Sequence, residues 1–463
     1  MFDKKTEILN ILKKVHLIGI GGIGMNGIAE YLIKQNIAVS GSDLTETDIT
    51  ARLINLGAKI KYGHKSEYID NETDLVVYTS AVDESNPELT LARKIGIPCV
   101  KRAEMLGEIV NDKFLIAVSG THGKTSTTAM IAKVLIECGI DPVVFIGGTA
   151  DFLEGGTSRI GNSNICVVEA DEYDRSFLQL KPDVIIITNI EKDHTDIYEN
   201  EESIIMAFND FVKLGKPNLK IIGCGDDKNT DSLLKGLKNT GIYKYGFNEM
   251  NKYTSEITNN PEGQASYKIE SNEIILKVPG RHNILNSLAA LLACRFAGID
   301  TASFAKAIKT YSGIDRRLEV KYRNAITVYD DYAHHPTEIN ATLQAIRGIT
   351  SGRVITIFQP HTYTRTRDFY SEFAKSLIAS DVVYLAEIYS AREEPITGVS
   401  SKLIYSEILK NKKANAFYFS DNDEIITEVL NNVKPGDVLI FQGAGNINLL
   451  CKKFIEEFKK RIN

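Results

Sequence analysis

The sequence predicts an α/β protein of three successive domains with mostly parallel sheets, the middle one carrying a small antiparallel addition. Three observations predict it. Short apolar, β-branched runs alternate with helical patterns along the chain, as when strands are joined by helical crossovers. That alternation gives way to short polar strands near residue 243 and restarts near Ser312. And 463 residues are too many for one hydrophobic core. The expected domains are 1–110, 111–313 and 314–463.

Composition narrows the class. The chain is 43% hydrophobic and 25% charged, as ordinary globular domains are. A net charge of −6 without a dense basic run points away from nucleic acid. Cys99, Cys138, Cys166, Cys224, Cys294 and Cys451 are scattered with no C-x-x-C pair, so they are expected as apolar core residues in a reducing compartment. No run approaches about 18 apolar residues, and no long apolar core precedes a cleavage site near the start. The expectation is a cytoplasmic protein with no membrane insertion.

In the first domain, Val15-His16-Leu17-Ile18 reads as a strand. It enters Gly19-Ile20-Gly21-Gly22-Ile23-Gly24 and then a helix. G-x-G-x-x-G between a strand and a helix sets a pyrophosphate on the helix N-terminus. A second strand, Ala38–Asp43, ends in an acid about 20 residues on, where a ribose hydroxyl would be met. NAD is the first ligand this suggests. Any nucleoside diphosphate, a UDP-sugar included, satisfies the same turn, and the run also serves as a plain tight junction. A strand at 74–80, a helix from Pro87, a short strand at 97–100 and a helix Arg102–Val110 complete a Rossmann-like domain.

The central domain opens with an apolar strand at 114–118, followed by Gly120-Thr121-His122-Gly123-Lys124-Thr125-Ser126 and a helix that stops at Gly139. Backbone N–H groups of such a P-loop cradle phosphates; Lys124 would reach the outer phosphates and Thr125 would offer a hydroxyl to Mg²⁺. The run is shorter than the common G-x-x-x-x-G-K-[ST], because the first glycine would fall at Val118. Two further strands end in acids: 165–172 with Glu169, Asp171 and Glu172, and 183–189 running on to Glu191, Asp193 and His194. Ligands sit at the carboxyl ends of strands in open parallel sheets, so both acidic ends are expected beside the P-loop, with hard oxygens suited to Mg²⁺. His194 reads either as a ligand of a second divalent ion or as a structural partner of a carboxylate. Polar strands at 243–278 predict the antiparallel addition to the central sheet. Asn283 and Asn286 then open an apolar helix on one face, to read an adenine or ribose edge or simply to cap it.

In the third domain five strand signals, at 326–329, 354–358, 382–385, 416–419 and 438–441, alternate with helices. The chemistry-bearing residues follow the strands: Asp330-Asp331-Tyr332-Ala333-His334-His335-Pro336 and Gln359-Pro360-His361-Thr362-Tyr363-Thr364-Arg365.

Taken in order, G-T-H-G-K-T, E-A-D-E, T-N-I-E-x-D-H, G-R-H-N-x-x-N, R-R and D-D-Y-A-H-H-P-T-E resemble the Mur ligase family over essentially the whole chain. The resemblance implies ATP-dependent phosphorylation of the lactyl carboxylate of UDP-N-acetylmuramate, followed by amine attack on the acyl phosphate. The last motif, together with F-Q-P-H-T-Y-T-R-T, implies L-alanine as the amine; a relative that adds a whole tripeptide shares the former and departs at the latter. It further implies that Gly19, Gly21, Gly22, Ile23, Gly24, Asp43 and Ser80 hold the UDP-sugar. Gly120, Thr121, His122, Gly123, Lys124, Thr125, Ser126, Asn283, Asn286, Arg317 and Asp331 would hold ATP. Thr125 and Glu169 would bind one Mg²⁺ and His194 a second, and Tyr332, His334 and Arg365 would face the amino acid. Lys124, Glu169, His194, His334 and Arg365 are the implied catalytic set. Two positions depart from the family pattern. Asn209 stands where several relatives carry a carbamylated lysine, with Lys213 four residues on, so no carbamate is expected; Thr362 stands where some relatives have Arg. An NAD-dependent oxidoreductase or a non-catalytic nucleotide-binding module would leave the P-loop or the charged strand ends unexplained.

Overall fold

The computed structural model describes residues 8–153, 156–193, 197–238, 241–259, 264–391, 393–411 and 414–462. The chain divides into two compact units, one of Met1–Glu256, Lys268–Ile274 and Leu285–Tyr311, the other of Ile257–Tyr267, Ile275–Ile284 and Ser312–Asn463.

The first unit holds two sheets. One contains β1 (Lys14–Ile18), β2 (Ala38–Asp43), β3 (Lys59–Tyr62), β4 (Leu75–Tyr78) and β5 (Cys99–Lys101). Their order is β3-β2-β1-β4-β5, parallel throughout. The order reverses at β1, which opens a crevice at the carboxyl edge beside it. The edge strand β3 gives no sequence signal as an apolar run. Its lysines, Lys59 and Lys61, are exposed and blunt the edge against further pairing.

The second sheet contains β6 (Phe114–Ser119), β7 (Val143–Phe145), β8 (Ser158–Ile160), β9 (Ile165–Glu169), β10 (Val184–Ile187), β11 (Lys220–Cys224), β12 (Ile242–Gly246) and β13 (Tyr253–Thr254). Their order is β13-β12-β11-β10-β6-β9-β7-β8, and only β8 runs antiparallel, against β7. β6 is flanked by β10 and β9, the two strands expected to end in acids. One apolar core joins both sheets, from Val15 and Leu17 to Leu115, Val168 and Ile185. The helix Ile23–Lys34, which follows the first glycine-rich loop, is tied to β8: Ser158 Oγ donates to buried Glu30 at 2.6 Å, and Thr157 bonds Asn26 at 2.6 Å.

The expected antiparallel addition is not part of the central sheet. β14 (Glu256–Asn259), β15 (Ala265–Ile269) and β16 (Asn272–Leu276) form their own three-stranded antiparallel sheet, its residues divided between the two units. The strands that do extend the central sheet at this end, β12 and β13, pair in parallel.

The second unit is built on β17 (Glu319–Arg323), β18 (Thr327–Asp331), β19 (Val354–Phe358), β20 (Val382–Leu385), β21 (Ala416–Tyr418) and β22 (Val438–Gln442), in the order β17-β18-β22-β19-β20-β21. Five follow the expected signals. The sixth, β17, is a polar edge strand, Glu-Val-Lys-Tyr-Arg, antiparallel to β18. Alternation along the strands makes two cores on opposite faces. Val328, Ile355, Ile357, Leu439 and Phe441 pack on one, and Tyr329, Val354, Phe358 and Ile440 on the other.

All six cysteines are free thiols, and Cys166, Cys224, Cys294 and Cys451 are buried. No helix among the described residues is long and apolar enough to cross a membrane.

Candidate active site

The P-loop joins β6 to the helix Lys124–Glu137 and is braced by the residues that follow β10. Thr121 N–H donates to Asn189 O at 3.0 Å and His122 N–H to Asn189 Oδ1 at 2.9 Å. Thr188 Oγ1 donates to His122 O at 2.6 Å, and Thr121 Oγ1 accepts from Glu191 N–H at 2.9 Å. Gly120 takes φ +126°, and a Cβ there would overlap Thr188 Oγ1. Gly123 takes φ +84°; a Cβ on it would lie 2.6 Å from Asn286 Oδ1, which places that predicted amide over the loop. His122 Nε2 lies 3.4 Å from Glu191, and half-buried Ser126 follows on the first helical turn.

Lys124 turns back across the loop. Its Nζ donates to Gly120 O at 2.7 Å and Thr121 O at 3.2 Å, and meets both carboxylate oxygens of fully buried Glu172 at 2.9 Å. Burial draws the ammonium pKa down, but Glu172, Asp171 and Glu169 outweigh it and hold it above the ordinary lysine value. Glu172 stood among the acids read from the sequence but received no role. The signal was there: the third of three acids within four residues, just past the end of a strand adjoining β6.

Thr125 Oγ1 donates to Glu169 Oε1 at 2.9 Å, and Glu169 Oε2 accepts from Gly147 N–H at 2.6 Å. Burial pushes the Glu169 carboxyl up against the pull of Lys124. A hydroxyl and a carboxylate converging at the phosphate end of the loop are the hard oxygen donors that suit Mg²⁺. His194 lies outside the described residues. Lys213 sits at the exposed end of the helix Glu201–Lys213, paired with Asp210 at 2.7 Å.

The first glycine-rich loop uses most of its amides internally. Gly19 and Ile20 N–H donate to Ser42 O at 2.8 and 3.0 Å, and Gly22 N–H to Gly19 O at 3.1 Å. Asp43 Oδ2, expected on a ribose hydroxyl, accepts from Gly21 N–H at 2.8 Å and so braces the turn. Ile23 is exposed at the helix start, and Gly24 lies under Arg102, whose Cδ is 2.9 Å from an ideal Cβ on that glycine. Ser80 Oγ donates to Asp174 Oδ2 at 2.8 Å.

In the second unit, Arg316 and Arg317 flank the Tyr332 ring, their Cζ atoms 5.0 and 5.1 Å from its centroid. Arg317 also pairs with Glu338 at 3.3 Å. His334 Nδ1 meets Tyr332 O at 3.0 Å, and its ring lies 5.8 Å from that of His361. Arg365 Nη1 donates to His361 Nδ1 at 3.3 Å, so the predicted amino-acid residues form one cluster, with His361 as the link that received no role of its own. Thr362, just before Arg365's helix, is held at φ +67°, an unusual setting for a β-branched residue. Asp331 faces inward: its carboxylate accepts from Thr342 Oγ1 at 2.7 Å, Gln442 Nε2 at 3.1 Å and Leu318 N–H at 3.1 Å. Burial raises its pKa. Asn283 Nδ2 donates to Pro279 O at 2.7 Å.

A lysine-bearing phosphate loop with buried carboxylates opposite it, and a second glycine-rich loop on a neighbouring sheet, define a nucleotide-using protein of α/β class. The chain matches the Mur ligase family, catalytic domain, at residues 14–114, the Mur ligase middle domain at 118–294, and the Mur ligase, glutamate ligase domain, at 316–445. It belongs to the Mur ligase family. It is 43% identical over 457 residues to a UDP-N-acetylmuramate–L-alanine ligase of Acetivibrio thermocellus, covering 97% of each chain. It is 42% identical to the protein of the same name in Clostridium tetani, covering 95% of this chain and 97% of that one. Among solved structures, a UDP-N-acetylmuramate–alanine ligase from Thermotoga maritima superposes with TM-score 0.82 at 32% identity, covering 97% and 99% of the two chains. A murein peptide ligase from Psychrobacter arcticus gives 0.71 at 25%, covering 96% and 98%. Family membership displaces the dehydrogenase reading of the first loop.

Proposed function

We propose that the protein joins L-alanine to the lactyl carboxylate of UDP-N-acetylmuramate at the expense of ATP, in the cytoplasmic synthesis of peptidoglycan precursors. The observation that carries the reading is Lys124, folded over the P-loop and gripped by Glu172, with Thr125 and Glu169 converging beside it. The division of labour follows the expected boundaries: 1–110 for the UDP-sugar, 111–313 for ATP and 314–463 for the amino acid. The greater likeness to the alanine ligase than to the murein peptide ligase, in identity and in fold, favours alanine over a peptide.

The carboxylate oxygen takes the γ-phosphoryl group from ATP and ADP leaves. The alanine amine then attacks the acyl carbon, loses a proton, and inorganic phosphate departs. Such transfers depend on positioning and on balancing developing charge. Lys124 would supply a fixed cation for the phosphates, and the N–H groups at the start of its helix would cradle them. Asn286 lies over the loop, where a nucleotide would be enclosed; Asn283, Arg317 and Asp331 are the further residues we assign to the nucleotide, Asp331 by orienting the backbone at Leu318. Thr125 and Glu169 would hold one Mg²⁺ and His194 a second; the ions' chemistry there is neutralisation of phosphate charge. Tyr332, His334 and Arg365 orient the amino acid.

Phosphate release tests this directly. With ATP and UDP-N-acetylmuramate, L-alanine should outpace glycine, L-serine and the tripeptide. Release driven by the tripeptide alone would assign the chain to peptide addition instead.

A further inference from the structure

We infer that Ser80 and Lys101 form an anion subsite for the UDP-sugar, and that Asp174 occupies it as a displaceable stand-in; the inference rests on the proposed use of the first loop. Ser80 follows β4 and Lys101 ends the adjacent β5, Tyr78 standing opposite Lys101 in register. Both lie at the carboxyl edge beside the glycine-rich loop. Thr79 Cγ2 is 2.9 Å from an ideal Cβ on Gly19, and the neighbouring Arg102 covers Gly24.

A single oxygen, Asp174 Oδ2, accepts from Ser80 Oγ at 2.8 Å and from Lys101 Nζ at 3.1 Å. A hydroxyl and an ammonium converging on one oxygen are equally matched to an oxygen of a diphosphate or of a substrate carboxylate.

The segment that brings Asp174 there is strained. Asp174 (φ 51°, ψ 22°) and Arg175 (φ 54°, ψ 28°) are consecutive non-glycine residues in the left-handed region. Such conformations are costly, and they persist where the surroundings hold them. The Lys101–Asp174 pair is too exposed to repay this: the side chains are 48% and 32% accessible, and ion pairs of that kind contribute little. What holds the segment is elsewhere. Arg175 lies over the Tyr198 ring at 5.9 Å, and Tyr198 OH donates to Glu172 O at 2.7 Å. The segment keeps its place without that exposed ion pair, so the carboxylate can yield to a better anion while the backbone stays held.

Calorimetric titration of the full chain with UDP, UDP-N-acetylglucosamine and UDP-N-acetylmuramate tests the subsite. Asp174→Asn keeps the shape and removes the competing charge, so binding should tighten by about 3- to 10-fold, the competing state no longer reducing apparent affinity. Lys101→Met should weaken binding by about 10-fold or more, through loss of a charge-assisted contact. The double variant should be as weak as Lys101→Met alone, because the carboxylate competes only while its cation is present. Lys101→Arg should restore most of the affinity, and the KM for ATP should stay unchanged throughout.

A gain with all three ligands identifies the diphosphate as the displacing group. A gain confined to UDP-N-acetylmuramate identifies its lactyl carboxylate. Either supports the subsite. Asp174→Asn and Asp174→Ser that bind no tighter, with melting temperatures matching the parent chain, would overturn it. Failure of the parent chain to release phosphate while it still binds UDP-sugars would remove the ligase reading and leave the subsite standing. Binding of none of the three nucleotides would remove both.

Discussion

The two glycine-rich loops of the first unit obey the same grammar, strand to turn to helix, yet they are wired differently. In the 19–24 loop the first four amides donate to Ser42 O, Asp43 Oδ2 and Gly19 O, leaving the helix-start amides of Ile23 and Gly24. The loop itself carries no cation; Arg102 approaches from another helix. In the P-loop only Thr121 and His122 donate to the brace at Asn189, and the following residue pair supplies its own cation and hydroxyl, Lys124 and Thr125. Buried carboxylates face that cation. On the proposed function, the first arrangement would hold a phosphate group whose charge does not change during reaction. The second is built where charge moves, and there a preorganised cation counts most.

The largest expected effect breaks the second loop alone. Lys124→Ala should lower kcat by about 10²-fold or more, the scale of losing one preorganised charge contact in a transition state. UDP-sugar affinity should barely change, because the 19–24 loop has no part of that cation. Stopped-flow phosphate release beside UDP-sugar titration checks both halves; equal losses in the two would erase the contrast.

Gly120→Ala comes next and acts through stability. The residue needs φ +126°, and the added Cβ would overlap Thr188 Oγ1, a group also bonded to His122 O. Strain plus a displaced buried hydrogen bond should cost about 2–4 kcal/mol. Thermal unfolding should show a drop of several degrees, and saturating ATP should recover part of it by binding only the folded state.

These two loops also mark how far the sequence can be read. Both were legible because glycine spacing, flanking apolar runs and a lysine at the helix start are local features. So were β1, β6, β10 and β18, each a short apolar run. The polar edge strands β3 and β17 were not, since Lys-Ile-Lys-Tyr and Glu-Val-Lys-Tyr-Arg bury little and are defined by their neighbours. Nor was the separation of β14–β16 from the central sheet, which depends on which edge a hairpin meets. In the site, the partner of Lys124 was hidden because three acids in four residues look equivalent until β9 fixes their directions: Glu169 reaches Thr125, while Glu172 reaches Lys124. Asp43 shows the same limit: its place at a strand end is a local feature, whereas its bond to Gly21 N–H is set by tertiary packing.

Gly21→Val sharpens the comparison from the other side. An ideal Cβ on Gly21 lies 2.9 Å from both Asp43 Oδ2 and Thr50 Cγ2. The larger side chain would push Asp43 off the Gly21 amide and widen the turn, so the KM for the UDP-sugar should rise by about 10-fold, one lost charge-assisted bond to the backbone. The KM for ATP should hold. A shift in both would mean that the loops are not independent ligand sites.

The smallest effect separates backbone approach from side-chain crowding. A Cβ on Gly24 would meet Arg102 Cδ at 2.9 Å and Nη1 at 3.0 Å, the far end of a flexible side chain. Gly24 is helical, and alanine is the better helix former there by about 1 kcal/mol. Gly24→Ala should therefore leave the melting temperature unchanged or slightly raised. The added methyl still sits beside the amides of Ile23 and Gly24, the proposed diphosphate contacts, and it would displace Arg102 from that face. The expected result is a rise of about 2- to 5-fold in the KM for the UDP-sugar with kcat preserved, the size of an effect under 1 kcal/mol. Arg102→Ala in the Gly24→Ala background resolves the two contributions: if the methyl acts only by moving Arg102, the double variant matches Arg102→Ala, whereas direct obstruction of the amides adds a further loss.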